Sequence, residues 1–410
     1  MIKRTGFDVS QVSDANRLKI LSIVRENKPI SRTQLAKLTG LSLTAVSRII
    51  GMLIEQGYVR EIGLGDSGGG RKPVMLEIIP DAGFAIGVDL GGTSIRAALV
   101  NLHGQALHIV EQRPEDTSIL ETLYNTIHKT IQQLDENQRK RLLGIGVGTP
   151  GLIDYASGVV ITAANLGWKS VALRTLLEEE FDLPIFLDND ANVAALAEWS
   201  QGAGQKASHL VYITVSRGLG AGIILDGQIY RGAGGTAGEI GDTFLFTSLD
   251  PEPRLLTLED LCSGRALESQ AIEAIKRGEE SHLRLLSENR LDSISLEMII
   301  EAAQAGDALA NKLVQRAAYW LSVGIANIVH SLNPQLIIIG GTLSMAGKIL
   351  LEPLYETLDR LLSPVLRKKV EVTTGLLGEH AGVLGAASLV LYHAFATPIR
   401  HNETVSLISI

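Results

Sequence analysis

Two stretches of this chain, opening at Phe84 and at His209, repeat one architecture about 125 residues apart, and nothing else in the sequence limits the fold as strongly. The first runs Phe84-Ala-Ile-Gly-Val-Asp-Leu-Gly-Gly-Thr93 into Ser94-Ile-Arg-Ala-Ala-Leu-Val100 and closes on His103-Gly104. The second runs His209-Leu-Val-Tyr-Ile-Thr-Val-Ser-Arg-Gly-Leu-Gly220 into Ala221-Gly-Ile-Ile-Leu225 and closes on Asp226-Gly227. Each reads as buried strand, Gly-rich turn, strand, tight turn, strand. A third apolar run, Asn333-Pro-Gln-Leu-Ile-Ile-Ile-Gly-Gly-Thr342, also ends in paired glycines. Glycines at such turns let backbone N–H groups come close to an anion. One such turn is ordinary in an α/β sheet. Three at strand ends point to a duplicated α/β body with a nucleotide- or sugar-type cleft between its halves.

The first 80 residues follow a different pattern. A helical stripe from Asp14 to Glu26 presents Leu18, Leu21, Ile23 and Val24, and Pro29 stops it. Ser31 then caps a short helix with Leu35, Ala36 and Leu38 on one face, and Gly40 ends it. Ser42 caps a third helix carrying Val46, Ile49, Ile50, Leu53 and Ile54 to Gly57. Helix, Gly-containing turn, longer helix is the helix-turn-helix arrangement. Its early positions not needed for the core are Ser42, Leu43, Thr44, Ser47 and Arg48. Most are small or polar, which lets a helix enter the major groove and meet base edges. Arg32 and Lys37 are placed to meet phosphates. Strands at Tyr58–Ile62 and Val74–Ile79 flank the Gly-rich segment Gly63–Pro73 and form a wing, with Arg71 and Lys72 at its tip for the minor groove or the backbone.

Taken singly, the loop could be a flexible linker and the helices a small bundle for protein contacts. The charge split favours DNA. Residues 1–80 hold 12 Lys/Arg against 7 Asp/Glu, whereas the other 330 hold 25 against 38. A basic head on an acidic body is expected when only the head touches a polyanion.

With 410 residues, of which 45% are hydrophobic, the chain has room for more than one core. The expected division is a winged helix-turn-helix domain over 1–80, body lobes over 81–195 and 196–397, and a tail over 398–410 to which no role is given. The start, Met1-Ile-Lys-Arg-Thr-Gly-Phe-Asp8, lacks the apolar core of a signal peptide, and no later segment approaches a membrane span. A cytoplasmic protein without a membrane partner is expected. The lone cysteine, Cys262, excludes an internal disulfide and a cysteine-rich metal site.

Between the apolar run Leu183–Leu187 and the helix-like Val193–Glu198 lies Asp188-Asn-Asp-Ala-Asn192. Polar groups just past a buried strand sit where α/β folds place their ligands. Asp190 there could take a proton from a substrate or only hold it.

Six motifs now stand together: Asp89-Leu-Gly-Gly-Thr93, Gly144-Ile-Gly-Val-Gly-Thr-Pro-Gly151, Asn165-Leu-Gly-Trp168, Asp188-Asn-Asp-Ala-Asn192, Gly238-Glu-Ile-Gly241 and Leu258-Glu259. With the winged head they resemble the ROK family (repressors, open reading frames and sugar kinases), in its repressor branch and most like its xylose-repressor-like members. The resemblance spans nearly the whole chain. It implies an α/β fold class: an N-terminal winged helix-turn-helix plus a duplicated actin-like/hexokinase-like two-lobed body. It also assigns roles. Asp190 matches the catalytic base of the kinases. Asn189, Glu239 and Glu259 match sugar-hydroxyl contacts, with Gly151 and Asn165 as neighbours. Gly91, Gly92 and Thr93 match the first phosphate loop, Gly218 and Gly220 the second, and Gly340-Gly341 the adenosine side. Carboxylates and amides suit a sugar because each can hold two adjacent hydroxyls.

Two departures from the family pattern bear on function. The second phosphate loop of the kinases reads Gly-Thr-Gly, but here it is Ser216-Arg217-Gly218, where an arginine clashes with or replaces a phosphate. ATP and magnesium are therefore not expected as cofactors. The family's structural zinc uses a His after Gly-Glu-x-Gly and a Cys cluster. Here the His is Asp242, and Thr243–Leu256 contains no Cys, so no metal is expected. Asp242 either accepts from sugar hydroxyls or favours a ligand carrying positive charge, or else points away.

The leading expectation is a sugar-responsive transcriptional regulator, a repressor, whose head binds a palindromic operator as a homodimer or higher homo-oligomer. The alternative is an ATP-dependent sugar kinase, or a bifunctional protein, with Asp190 as base.

Overall fold

The computed structural model describes residues 9–27, 29–66, 72–114, 117–246 and 255–395. In the head, helix α1 (Val9–Glu26) buries Leu18, Ile20, Leu21 and Val24, and it already includes residues 9–13, before the expected Asp14. After the short strand β1 (Ile30–Ser31), Ser31 and Gln34 close a capping box on α2 (Arg32–Thr39). Gly40 ends α2 in the left-handed region, at φ 75°. The Ser42 hydroxyl accepts from the Ala45 N–H at 3.2 Å and starts α3 (Leu43–Glu55). The two helices are bent by 116° about this turn, within the range of about 90–120° that defines a helix-turn-helix. Strands β2 (Val59–Leu64) and β3 (Val74–Ile78) pair antiparallel from Val59↔Ile78, and β1 adds to the other edge of β3. This is the expected wing. Residues 67–71, and so Arg71, lie outside the described residues.

The first repeat folds as β4 (Phe84–Leu90), β5 (Ile95–Asn101) and β6 (Ala106–Gln112), followed by α4 (Ile119–Ile131) and α5 (Glu136–Arg139). Then come β7 (Leu142–Thr149), β8 (Leu152–Asp154), β9 (Val159–Ala163), β10 (Trp168–Val171), α6 (Leu173–Phe181) and β11 (Ile185–Asn189). The sheet order is β11-β7-β4-β5-β6, with β4 antiparallel to β5 and parallel to β7. Every residue of β7 is buried, as a strand covered on both faces requires. Ile86, Val88, Leu99, Ile145 and Leu187 of the sheet pack with Leu123, Ile127 and Leu177 of the helices.

The second repeat runs α7 (Asp190–Gln201), β12 (Leu210–Val215), β13 (Leu219–Leu225), β14 (Gln228–Ile229), β15 (Phe244–Phe246) and β16 (Leu255–Thr257). Helices α8 (Leu258–Cys262), α9 (Gly264–Lys276), α10 (Leu283–Leu286), α11 (Leu296–Gln304) and α12 (Ala308–Leu332) precede β17 (Leu336–Gly340). Helices α13 (Lys348–Leu361) and α14 (Pro364–Arg367), strand β18 (Glu371–Thr374) and helix α15 (Ala381–Phe395) complete the described chain. Here the order is β14-β13-β12-β17-β18, again antiparallel, antiparallel, then parallel crossovers. Matching order and direction in both sheets is the duplication that the repeated turns announce.

The chain divides into two compact units: Met1–Gly151 with Tyr155–Asp188 and Ala386–Ile410, and Leu152–Asp154 with Asn189–Gly385. The division expected at 195/196 falls inside α7, which packs on β12 and β13 and so belongs with the second sheet. The second lobe does not extend to 397 either. From Ala386 onward α15 lies on the first sheet, where a side chain on Gly146 of β7 would strike the Ala386 carbonyl. Among the described residues no single helix is long and apolar enough to cross a membrane.

Candidate DNA-binding and effector sites

In the head, Val46, Ile49, Ile50 and Leu53 of α3 are buried while Ser42, Leu43, Thr44, Ser47 and Arg48 are exposed. The helical period has sorted core from free face, leaving the expected base-reading positions open to a ligand. Lys37 and Lys72 are exposed as well. Arg32 is not free: its Nη2 pairs with Glu61 of β2 at 2.8 Å. Because so exposed a pair is weak, a phosphate can replace Glu61 at little cost.

In the first unit, β4 delivers Asp89-Leu-Gly-Gly-Thr93 to a turn closed by the Gly91 N–H donating to Ser94 at 3.0 Å. A Cβ on Gly92 would stand 2.6 Å from the Asn165 carbonyl oxygen, so the loop and the Asn165 turn touch. Gly151, at φ 91°, lies against Thr162 of β9, just before that turn. The structure therefore brings Gly91, Gly92, Thr93, Gly151 and Asn165 into one neighbourhood. It adds Asp89, which lies across from Arg96, itself across from Glu111 with Nε to Oε2 at 3.2 Å. Burial raises the Asp89 carboxyl above the ordinary range, and Arg96 pulls it back. An acid inside an apolar strand was the available sequence signal.

In the second unit, Asn189 caps α7, its Oδ1 accepting from the Ala191 N–H at 2.8 Å, and Asp190 Oδ1 accepts from the same N–H at 2.8 Å. Both side chains are thus fixed at one helix N-terminus. Buried Tyr212 feels Asp190 and Glu198, and desolvation followed by these two carboxylates pushes its phenol upward.

At the Gly340-Gly341 turn, expected to face the adenosine side, a side chain on Gly340 would strike the Tyr212 hydroxyl and one on Gly341 would stand 2.7 Å from Ser216 Oγ. The Thr342 N–H donates to Ser216 Oγ at 3.0 Å. That N–H serves the chain's own Ser216 hydroxyl. The Ser216–Gly220 turn is similarly occupied, since the Leu219 N–H donates to Glu259 Oε2 at 2.9 Å. Gly218 lies beside that carboxylate, 3.0 Å from where its Cβ would be, and Gly220 follows in β13.

Glu259 therefore pins a turn with one oxygen, a task its expected sugar contact did not include. Glu239 lies nearby. Partial burial raises its carboxyl, and the charges of Asp242 and then Glu259 raise it further. Asp242 is exposed. The result is a polar group of three carboxylates with capacity to accept from several hydroxyls.

Cys262 is buried, its thiol donates to the Leu258 carbonyl at 3.3 Å, and burial pushes it up. One such thiol, with Asp242 where a His would stand, does not make a zinc ligand set. Sequence reasoning also missed Glu198. This fully buried carboxylate accepts from the Ala203 N–H at 2.8 Å and the Leu377 N–H at 2.9 Å, tying α7 to the segment after β18.

Comparison with known proteins matches this arrangement throughout. Residues 85–393 match the ROK family, and residues 13–60 a winged helix-turn-helix DNA-binding module. A xylose repressor of Caldicellulosiruptor bescii is 36% identical over 391 residues, 93% of this chain and 97% of the relative. A solved ROK family transcriptional regulator, a homologue of the Escherichia coli MLC protein, is similar over 93% of this chain and 97% of its own, at TM-score 0.78 and 27% identity. A ROK family glucokinase from Streptomyces griseus, solved with glucose and AMPPNP, is similar over 75% of this chain and 99% of its own, at TM-score 0.64 and 31% identity.

Proposed function

The chain belongs to the ROK family, and from that premise we propose that it is a sugar-responsive DNA-binding repressor. The observation that carries this reading is the head: two helices bent by 116° that present an exposed polar face on α3. The similarity to the repressor and to the solved regulator runs through this head, over 93% of the chain in each case. The head binds operator DNA through Ser42, Thr44, Ser47 and Arg48, with Lys37 and the wing on phosphates. One helix-turn-helix offers few base contacts, so the working unit is a homodimer on a palindrome. The effector is a sugar held through Asn189, Asp190, Glu239 and Glu259, and it acts by binding two states of the protein unequally. The chain needs no zinc and works in the cytoplasm.

A mobility-shift titration on DNA upstream of the chain's own gene, with and without a panel of sugars, is the test. Binding at moderate salt that one sugar shifts at least several-fold is expected. No specific binding on any upstream fragment sinks the reading.

Kinase activity is a second reading, favoured by Asp190 and by the similarity to the glucokinase. Against it stand the Leu219 and Thr342 N–H groups, each already bound within the chain. In this reading of the site Asp190 accepts a hydrogen bond from a sugar hydroxyl without removing its proton. Calorimetry with magnesium–ATP, alone and with sugar, should show no nucleotide heat. Turnover in a coupled assay, abolished by Asp190→Asn, would reverse that assignment.

A further inference from the structure

Among the described residues of the head, four large apolar side chains lie outside its core: Leu38 and Leu43 on the helices, and Ile62 and Leu64 on β2. Leu43, the first residue of α3, is 51% exposed, and Leu38, in the last turn of α2, is 56% exposed. The same small domain buries Leu18, Leu21, Leu35, Leu53 and Leu76 almost completely. A single exposed leucine needs no explanation; what distinguishes Leu43 is where it sits.

Its place narrows what it can meet. Leu43 lies between Ser42 and Thr44, with Ser47 and Arg48 one turn on, and all five are exposed. The opening residues of the second helix are those that reach base edges in a helix-turn-helix. Major-groove edges of the bases are polar except for one group, the C5 methyl of thymine. A leucine among short hydroxyl side chains fits that methyl and nothing else in the groove. The basic balance of the first 80 residues, 12 Lys/Arg against 7 Asp/Glu, favours a polyanion over an apolar protein partner on this face.

We propose that Leu43 is a base-reading residue, recognising a thymine methyl in each operator half-site. The assignment rests on the DNA-binding reading and adds a base identity to it. Ser42, Thr44 and Arg48 hydrogen-bond to polar edges, whereas Leu43 discriminates thymine from every base that lacks a methyl.

The experiment uses the full-length protein. Duplexes are selected from a randomised pool, and each thymine of the selected site is replaced in turn by uracil, which removes the methyl and leaves the polar edge unchanged. Affinities of wild type and Leu43→Ala are measured by fluorescence anisotropy at one salt concentration, with circular dichroism melting to show that the exposed substitution leaves the head folded. One uracil position per half-site should weaken the wild type by about 3- to 10-fold, the scale of one or two buried methyl groups. Leu43→Ala should lose a similar factor on thymine and nothing further on uracil, and Leu43→Met should retain most of the preference. If uracil is tolerated everywhere, or weakens Leu43→Ala as much as wild type, Leu43 does not read thymine and its face is left for a protein partner. If the pool yields no preferred duplex, the DNA-binding reading itself fails, a result distinguishable from the others.

Discussion

Glu239 and Glu198 show how differently two carboxylates of one unit are used. Glu239 is raised by partial burial and by the charges of Asp242 and Glu259. An acid raised on folding contributes stability that is complete below its unfolded value and is lost as pH climbs through its folded one. In the unliganded protein Glu239 therefore opposes folding at neutral pH. Glu239→Gln should melt higher than wild type at pH 7, with the gap closing toward pH 4, and should lose the response to sugar. Scanning fluorimetry from pH 4 to 8 checks this, and a variant that melts lower at pH 7 would overturn it. Glu198 is the opposite case, fully buried and bonded to two backbone N–H groups. Glu198→Ala leaves both donors unsatisfied and should cost about 3 kcal/mol in urea unfolding. A loss below about 1 kcal/mol would mean that the two hydrogen bonds do not hold the segment.

At the scale of elements, α2 and α3 are set by their caps. The Ser31–Gln34 box, the left-handed Gly40 and the Ser42 cap each fix an end, and their order alone spells the helix-turn-helix. Arg48→Ala on α3 should weaken operator binding about 10-fold, the lower range for one lost bidentate base contact, and leave the affinity for random DNA nearly unchanged. Equal losses on both DNAs would make Arg48 a phosphate contact. The strand–turn–strand repeats are legible for the same reason as the caps, because apolar run and Gly turn are neighbours in sequence. What the chain does not reveal locally is a partner far away. Asp188–Asn192 ends a strand and begins a helix, which is why a boundary near 195 missed the break at 188/189. Gly340-Gly341 announces that something approaches the backbone closely. Only the fold shows it to be Tyr212 and Ser216. Glu198 meets Leu377 from 179 positions away, beyond the reach of any local pattern.

For the whole molecule the question is how a sugar in one unit reaches DNA held by the other. Helix α15 is one covalent answer, since its first residues, Ala381–Gly385, belong to the second unit and the remainder, from Ala386, to the first. Within the first unit it is held rigidly. His393 Nε2 lies 2.8 Å from the Tyr155 hydroxyl, and its ring stacks on Phe186 at 4.6 Å between centroids. At its end, Phe395 lies under the guanidinium of Arg25 at 4.5 Å, and Arg25 closes α1 of the DNA-binding head. A helix whose first residues belong to the unit that holds the proposed effector residues, and whose Phe395 meets the head, can carry a coupling free energy between them. Phe395→Leu keeps the buried side chain apolar and removes only the ring under Arg25, a contact worth about 0.5–2 kcal/mol, without touching either binding surface. The variant should bind sugar and operator separately as wild type does, by calorimetry and anisotropy. The factor by which saturating sugar changes its operator affinity should fall several-fold. Because linkage is reciprocal, operator DNA should shift its sugar affinity by the same reduced factor. An unchanged factor in a variant with wild-type melting would show that α15 does not carry the signal.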